Sequence, residues 1–266
     1  MLSYQHLYHA GNLADVHKHA LLAWMLDYLT RKDKPLSYLE THAGRGLYDL
    51  AAPEALRTGE AAAGIARIAP LLDPDHPYSA AIRAIRADAG PQAYPGSPLL
   101  AATILRPGDR MHLAELHPRE HAALEVVLGP RGAHLHRQDG FEMARALCPP
   151  TPRRGLMLID PSYELRDEYR TVPAAIGAIT RRWNVGTIAL WYPLLPSRAH
   201  EQMLATLAAA HPEALRHELR FGPARAGHRM AGSGMFIINP PYGTAAAADH
   251  LGAVFAAAAG AAPAGD

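Results

Sequence analysis

The sequence predicts an α/β protein built on a Rossmann-like sheet, mostly parallel with its last strand antiparallel, and interrupted by a helical insertion. Three observations carry that expectation. Short apolar runs recur at Leu36 to Glu40, Met111 to Leu116, near Leu135, at Leu156 to Ile159 and at Gly186 to Tyr192, with helical segments between them. Such alternation belongs to a parallel sheet covered by helices. Several of these runs also close on a glycine turn or an acid, at the carboxyl edge where open α/β sheets bind ligands. The last two strand candidates, Leu215 to Phe221 and Met235 to Ile238, are separated only by Gly222 to Gly234. That loop is too short for a helical crossover, so the two should pair antiparallel.

In chain order, residues 15 to 31 read as the first helix, with Asp15 near its start and Leu22, Met25, Leu26 and Leu29 at helical spacing. Pro35 ends it. The first strand then enters the turn Thr41-His42-Ala43-Gly44-Arg45-Gly46. From Ala51 to Ala93 the chain is rich in alanine and proline, with helical stretches around 59 to 70 and 78 to 88 and no convincing strand. The expected organisation is therefore a core domain from 1–50 and 94–266 and a helical insertion at 51–93. An alanine-rich helix follows Gly243, and no internal repeat is visible.

Bulk properties exclude several classes of protein. The 26 basic and 25 acidic residues give a net charge of +1, so the total carries no electrostatic footprint for nucleic acid, although a local patch is compatible with it. Cys148 stands alone, which excludes an internal disulfide and a multi-cysteine zinc site and fits a reducing compartment. No apolar stretch approaches the roughly 20 residues that span a bilayer, and the first residues lack a signal pattern. A cytoplasmic protein with no membrane partner is expected.

The segment Leu156-Met157-Leu158-Ile159-Asp160-Pro161-Ser162-Tyr163 is the most informative. It runs from a buried strand into an acid, a proline and an aromatic ring. There Asp160 can accept a hydrogen bond from a planar amine, the Pro161 carbonyl can accept a second, and Tyr163 can stack on the base carrying it. These are the requirements of amino-group methylation. Asn239-Pro240-Pro241-Tyr242 matches the same pattern more closely. If Met235 to Ile238 is antiparallel, however, that motif lies on the sheet edge opposite the glycine turn and is a strand end and turn instead.

Glu40-x-x-x-Gly44-x-Gly46 follows a strand, where glycines at 44 and 46 let the backbone approach a ligand. The third spaced glycine of a dinucleotide fingerprint is missing, which disfavours nicotinamide and leaves an S-adenosylmethionine-type nucleoside suitable. Glu115 closes the next strand, where an acid holds ribose hydroxyls; the alternative is an acid capping the following helix. Asp139-Gly140 closes a third strand, where the adenine amine of a cofactor would lie. The succession of strand-end residues, ending at Asp160, strengthens all of them.

The N-terminal segment gathers Tyr4, His6, His9, His17, Lys18 and His19 beside a helix start, which attracts anions, so that Lys18 and His19 could face a carboxylate or a phosphate. His6-x-x-His9 and His17-x-His19 could supply imidazoles to a metal. Only Asp15 is near as a carboxylate and no helical His-Glu-x-x-His motif occurs, so no metal is expected.

Four stretches together resemble a known family: Tyr4-x-His6-x-x-His9-Ala10-Gly11-Asn12-x-Ala14-Asp15-Val16-x-Lys18-His19, Thr41-His42-Ala43-Gly44-x-Gly46-x-Tyr48, Tyr94-Pro95-Gly96-Ser97-Pro98 and Leu158-Ile159-Asp160-Pro161-x-Tyr163. They are similar to the RlmJ family, bacterial methyltransferases that modify an adenine amine of 23S ribosomal RNA. The resemblance spans nearly the whole chain and is weakest in the insertion and tail. It implies a Rossmann-like adenosylmethionine domain, proton acceptance by Asp160, cofactor contacts at His19, His42, Ser97, Glu115, Asp139 and Gly140, and Tyr4 near the target base. Two departures stand out. Glu40 replaces the family's usual Asp, and Ser162 replaces its second proline, which is expected to relax the turn that aims the Pro161 carbonyl.

The expected reaction is direct methyl transfer from S-adenosylmethionine to the N6 amine of a flipped adenine in 23S ribosomal RNA, catalysed by Asp160, Pro161 and Tyr163. Lys18, His6, Arg225 and Arg229 are candidate phosphate contacts, and the protein is expected to act as a monomer. Three other functions fit parts of the pattern: a protein glutamine-amide methyltransferase, a non-catalytic RNA-binding module, and a histidine-metal phosphohydrolase.

Overall fold

The computed structural model describes residues 6–165, 167–222 and 230–260. Its strands are β1 (Ser37–Glu40), β2 (Leu47–Asp49), β3 (Ala93–Pro95), β4 (Arg110–Ala114), β5 (His134–His136), β6 (Gly155–Ile159), β7 (Thr187–Leu194), β8 (Leu215–Arg220) and β9 (Gly232–Ile238). Seven of them form one sheet in the order β5-β4-β1-β6-β7-β9-β8. β5, β4, β1, β6 and β7 are parallel, and β9 runs antiparallel to both β7 and β8.

β1 and β6 are buried along their whole length, as expected where helices cover both faces of a parallel sheet. The helices Leu13–Thr30, Pro77–Ala89, Ser97–Ile104 and Thr244–Gly260 contribute to the core on one face. Gly140–Leu147, Glu168–Arg182 and His200–Ala210 contribute to the core on the other. Asn12 caps the first helix, its Oδ1 accepting from the Asp15 amide at 2.8 Å. The helix thus starts at Leu13, before the predicted residue 15, and Asp15 lies in its first turn.

Two local expectations need correction. The run from 59 to 70 is not one helix, because Gly64 at φ −97° and ψ −106° breaks it between Glu60–Ala63 and Ile65–Ile68. Ala93, read as part of a strandless stretch, opens β3, which pairs antiparallel with β2 as a separate two-stranded ribbon. Three-residue strands are too short to show a period.

The antiparallel course of β9 decides between the two proline motifs. Asn239 lies beside the amino end of β7, where its carbonyl accepts from Thr187 Oγ1 at 2.8 Å and its side-chain amide donates to the carbonyls of Asn184 and Gly186. It stands at the sheet edge opposite Asp160.

Candidate active site

The chain runs from β1 outward through β4 and β5 on one side and returns to β6 and β7 on the other. Ligands bind at such a switch point. A cavity of about 490 Å³ lies there, lined from the carboxyl ends of β1, β4, β6 and β7 and from the first helix. It gathers most of the predicted residues: His6, Lys18, His19, His42, Gly44, Ser97, Glu115, Asp139, Gly140, Asp160, Pro161 and Tyr163. Gly46 is a correction. It is absent from the lining, has φ +82°, and a Cβ there would come within 2.9 Å of Leu128. Its glycine closes the turn against a helix and does not make room for a ligand. Tyr4, Arg225 and Arg229 lie outside the described residues.

Asp160 leaves β6 and meets the first helix. Lys18 Nζ lies 2.5 Å from its Oδ2 and 3.1 Å from Asp15 Oδ1, with the lysine side chain 5% exposed. Burial opposes the charge on Lys18, but Asp160 and Asp15 more than offset it and hold the ammonium above its ordinary pKa. Of the two anions open to Lys18 in the sequence, a carboxylate or a phosphate, it meets carboxylates, and its charge is committed to two of them. His6 Nε2 also faces Asp15, at 2.8 Å. Burial works to raise the Asp15 pKa, yet His6 and Lys18 hold it well below the carboxylate range. His9 Nδ1 meets Glu60 at 3.0 Å. The two histidines of the first His-x-x-His pair therefore face different carboxylates, an arrangement that does not favour the metal phosphohydrolase reading.

On the β1–β4 side, Gly44 N donates to Glu115 Oε2 at 2.8 Å and His117 N donates to Oε1 at 2.7 Å. Glu115 thus holds the glycine turn and the helix start together, while burial raises its pKa. Asp139 caps the helix Gly140–Leu147, one oxygen accepting from the Phe141 and Glu142 amides at 2.9 Å. Gly140 is fixed by close approach, for a Cβ would sit 1.9 Å from the Thr41 carbonyl oxygen. Glu40 is fully buried beneath this side, accepting from Tyr38 Oη at 2.8 Å and from Ser97 Oγ. Burial pushes its carboxyl up to about 8, against the pull of those hydroxyls. Burial also drives His19 down to about 3, so its neutral ring meets Tyr94 Oη at 3.0 Å.

The donor set fits an adenosyl sulfonium. Among the described lining residues Lys18 is the only lysine or arginine, and Asp15, Glu115, Glu120, Asp139, Asp160 and Glu168 supply carboxylates. A pyrophosphate would find no free cation here, whereas a cationic ligand carrying ribose hydroxyls and an amine finds acceptors.

On the β6–β7 side, Tyr163 takes φ +54°, uncommon for a non-glycine residue and of the kind that clusters at functional sites. Its hydroxyl donates to the Trp191 carbonyl at 2.9 Å, and its ring stacks on Tyr169 with centroids 4.6 Å apart. Ser162 Oγ lies a long 3.5 Å from the Glu164 amide. Trp191 also lines the cavity, with Lys18 Nζ 5.7 Å from its ring centroid. Sequence reasoning passed over it because it sits inside an apolar run and reads as core. The only available signal was its place on the strand beside the Asp160 motif.

A family model described as "Ribosomal RNA large subunit methyltransferase D, RlmJ" matches residues 33–265. The chain is 40% identical over 247 residues to Ribosomal RNA large subunit methyltransferase J of Escherichia coli, covering 91% of this chain and 88% of that one. It is 38% identical over 248 residues to the protein of the same name from Haemophilus influenzae, with the same shares covered. Protein LPL1258 of Legionella pneumophila, known from a crystal structure, superposes with a TM-score of 0.84 at 37% identity, covering 93% of this chain and 92% of that one. With the switch-point cavity, the strand-end acids and the Asp160 turn in place, these likenesses have one meaning: the chain belongs to the RlmJ family of ribosomal RNA large subunit methyltransferases.

Proposed function

We propose that this enzyme methylates the exocyclic N6 amine of a flipped adenine in 23S ribosomal RNA, using S-adenosylmethionine. The observation that carries this reading is the turn Asp160-Pro161-Ser162-Tyr163 at the switch-point cavity, with a carboxylate, a backbone carbonyl and an aromatic ring on one short segment. The cofactor supplies an electrophilic methyl group. Glu115 and Asp139 would hold its ribose and adenine, and the Gly44 turn would carry its backbone contacts.

The chain's own work is positioning and proton acceptance. An aryl amine is a weak nucleophile because its lone pair is shared with the ring. Hydrogen bonds from that amine to Asp160 and to the Pro161 carbonyl favour a pyramidal nitrogen and disperse the positive charge that develops. As the nitrogen gains its fourth bond it becomes acidic, and Asp160 accepts the proton. Lys18 orients Asp160 from the first helix. Tyr163 offsets the cost of unstacking by stacking on the base. With the lining acidic, phosphates must be met outside the cavity, on the rim. Among the described residues no helix is long and apolar enough to cross a membrane, and a substrate made of ribosomal RNA implies work in the cytoplasm.

Incubation with methyl-labelled S-adenosylmethionine and deproteinised 23S RNA, in parallel with a protein fraction, tests this. Label in N6-methyladenosine is expected. Label in protein alone would reject the RNA substrate and favour a glutamine-amide methyltransferase.

A further inference from the structure

Trp191 is held by a hydrogen-bonded chain that the reaction itself does not use. Its Nε1 donates to Ser233 Oγ at 2.9 Å, Ser233 Oγ lies 2.8 Å from His17 Nδ1, and His17 Nε2 lies 2.9 Å from His217 Nδ1. Four elements contribute one residue each: β7, β9, the first helix and β8. Ser233 and His17 are fully buried, and His217 is half-buried.

Donor chemistry fixes the direction of this chain. An indole nitrogen can only donate, so Ser233 must accept from it. The single serine proton then goes to His17 Nδ1, which leaves His17 with its proton on Nε2 to give to His217 Nδ1. The opposite tautomer would strand the Ser233 proton in a fully buried place. Burial, with His217 beside it, holds the His17 pKa well below the ordinary imidazole value, in keeping with a neutral ring.

None of these three residues lines the cavity. What they determine is the plane of one indole that does. Trp191 is tilted 55° to Tyr163 with centroids 6.1 Å apart, so the two rings form a corner beside Asp160. A base lying flat on one ring meets the edge of the other, both favourable aromatic geometries. The same helix carries Lys18 and His17, so it sets Asp160 and the indole plane together.

We propose that Trp191 contacts the target adenine as the second aromatic wall of its slot, and that Ser233, His17 and His217 are positioning residues that fix the indole. This rests on reading the site as an adenine methyltransferase. The test is a double-mutant cycle on the full chain, with methylation of a short adenine-containing RNA as readout and adenosylmethionine affinity measured by calorimetry. Trp191→Phe is expected to raise KM for RNA about tenfold, and Ser233→Ala about fivefold, with cofactor affinity unchanged in both. Adding Ser233→Ala to Trp191→Phe should change KM no further, because a phenyl ring has no N–H for the serine to hold. His217→Leu, at the half-exposed end, removes the acceptor for His17 and gives the same cycle should Ser233→Ala fold poorly. Losses that simply add, or a Trp191→Phe enzyme with unchanged KM, overturn the proposal alone. A wild-type chain that methylates no RNA overturns the methyltransferase reading, and the proposal with it.

Discussion

Lys18 Nζ and Asp160 Oδ2 are 2.5 Å apart, which ties the N-terminal helix to the acid proposed to receive the amine proton. Asp15 takes the other side of the ammonium at 3.1 Å. Lys18→Met would leave the buried Asp15 and the partly buried Asp160 without their shared cation. Stability should fall by about 3 kcal/mol, read by urea denaturation, and kcat by about a hundredfold through lost orientation of Asp160. A variant with full kcat would remove Lys18 from the mechanism.

Glu40 makes stability depend on pH. Unfolded, it loses its proton near 4.5; folded, it keeps the proton until about 8. The folded state therefore binds more protons between those values, and stability falls as pH rises through the window. The slope from this group is at most about 1.4 kcal/mol per pH unit. Glu40→Gln keeps the shape and removes the titration, so Tm measured from pH 5 to 8 should decline less steeply than in the wild type. An unchanged slope would contradict burial as the cause.

Gly140 tolerates no side chain, because a Cβ would meet the Thr41 carbonyl oxygen at 1.9 Å. The Cβ position is fixed by its own backbone and the oxygen is a backbone atom, so neither can swing away. Gly140→Ala should cost about 3 kcal/mol or more and weaken adenosylmethionine binding, measured by thermal denaturation and calorimetry. Normal stability would show that the turn can shift as a unit.

Tyr163 separates two roles. Its hydroxyl anchors the motif turn on the Trp191 carbonyl at 2.9 Å, and its ring is assigned to the base. Tyr163→Phe keeps the ring and should lower kcat/KM only about fivefold, whereas Tyr163→Ala should lower it about a hundredfold. Equal losses in steady-state kinetics on RNA would assign the effect to the anchor.

The parts of this protein legible in sequence were those with a one-dimensional signature. Leu156 to Ile159 and Leu36 to Glu40 are buried on both faces, so they stand out as apolar runs, and their ends gave Asp160 and the glycine turn. The short Gly222 to Gly234 connection gave the antiparallel β9, and with it the choice against Asn239. What escaped was pairing across the fold. Asp15, His17, Lys18 and His19 look like a polar, solvent-facing helix start, yet all four are buried, each engaged with a partner on the same helix or far along the chain. Position beside a helix start could not decide between a carboxylate and a phosphate for Lys18, whose partners are Asp15 and Asp160. Trp191 looked like core for the converse reason, an aromatic in an apolar run that in fact lines a cavity. Gly46 was given to the ligand because spacing alone cannot tell a turn that approaches a nucleoside from one that approaches Leu128.

Asp160 is proposed to serve methyl transfer to one adenine of 23S ribosomal RNA. Mass mapping of 23S RNA from cells lacking this protein, complemented with the wild type or with Asp160→Ala, tests it most directly. One N6-methyladenosine should be absent without the protein, return with the wild type, and stay absent with Asp160→Ala, although the purified variant still binds adenosylmethionine. Return of the mark with Asp160→Ala, or an unchanged RNA map in its absence, would contradict the account.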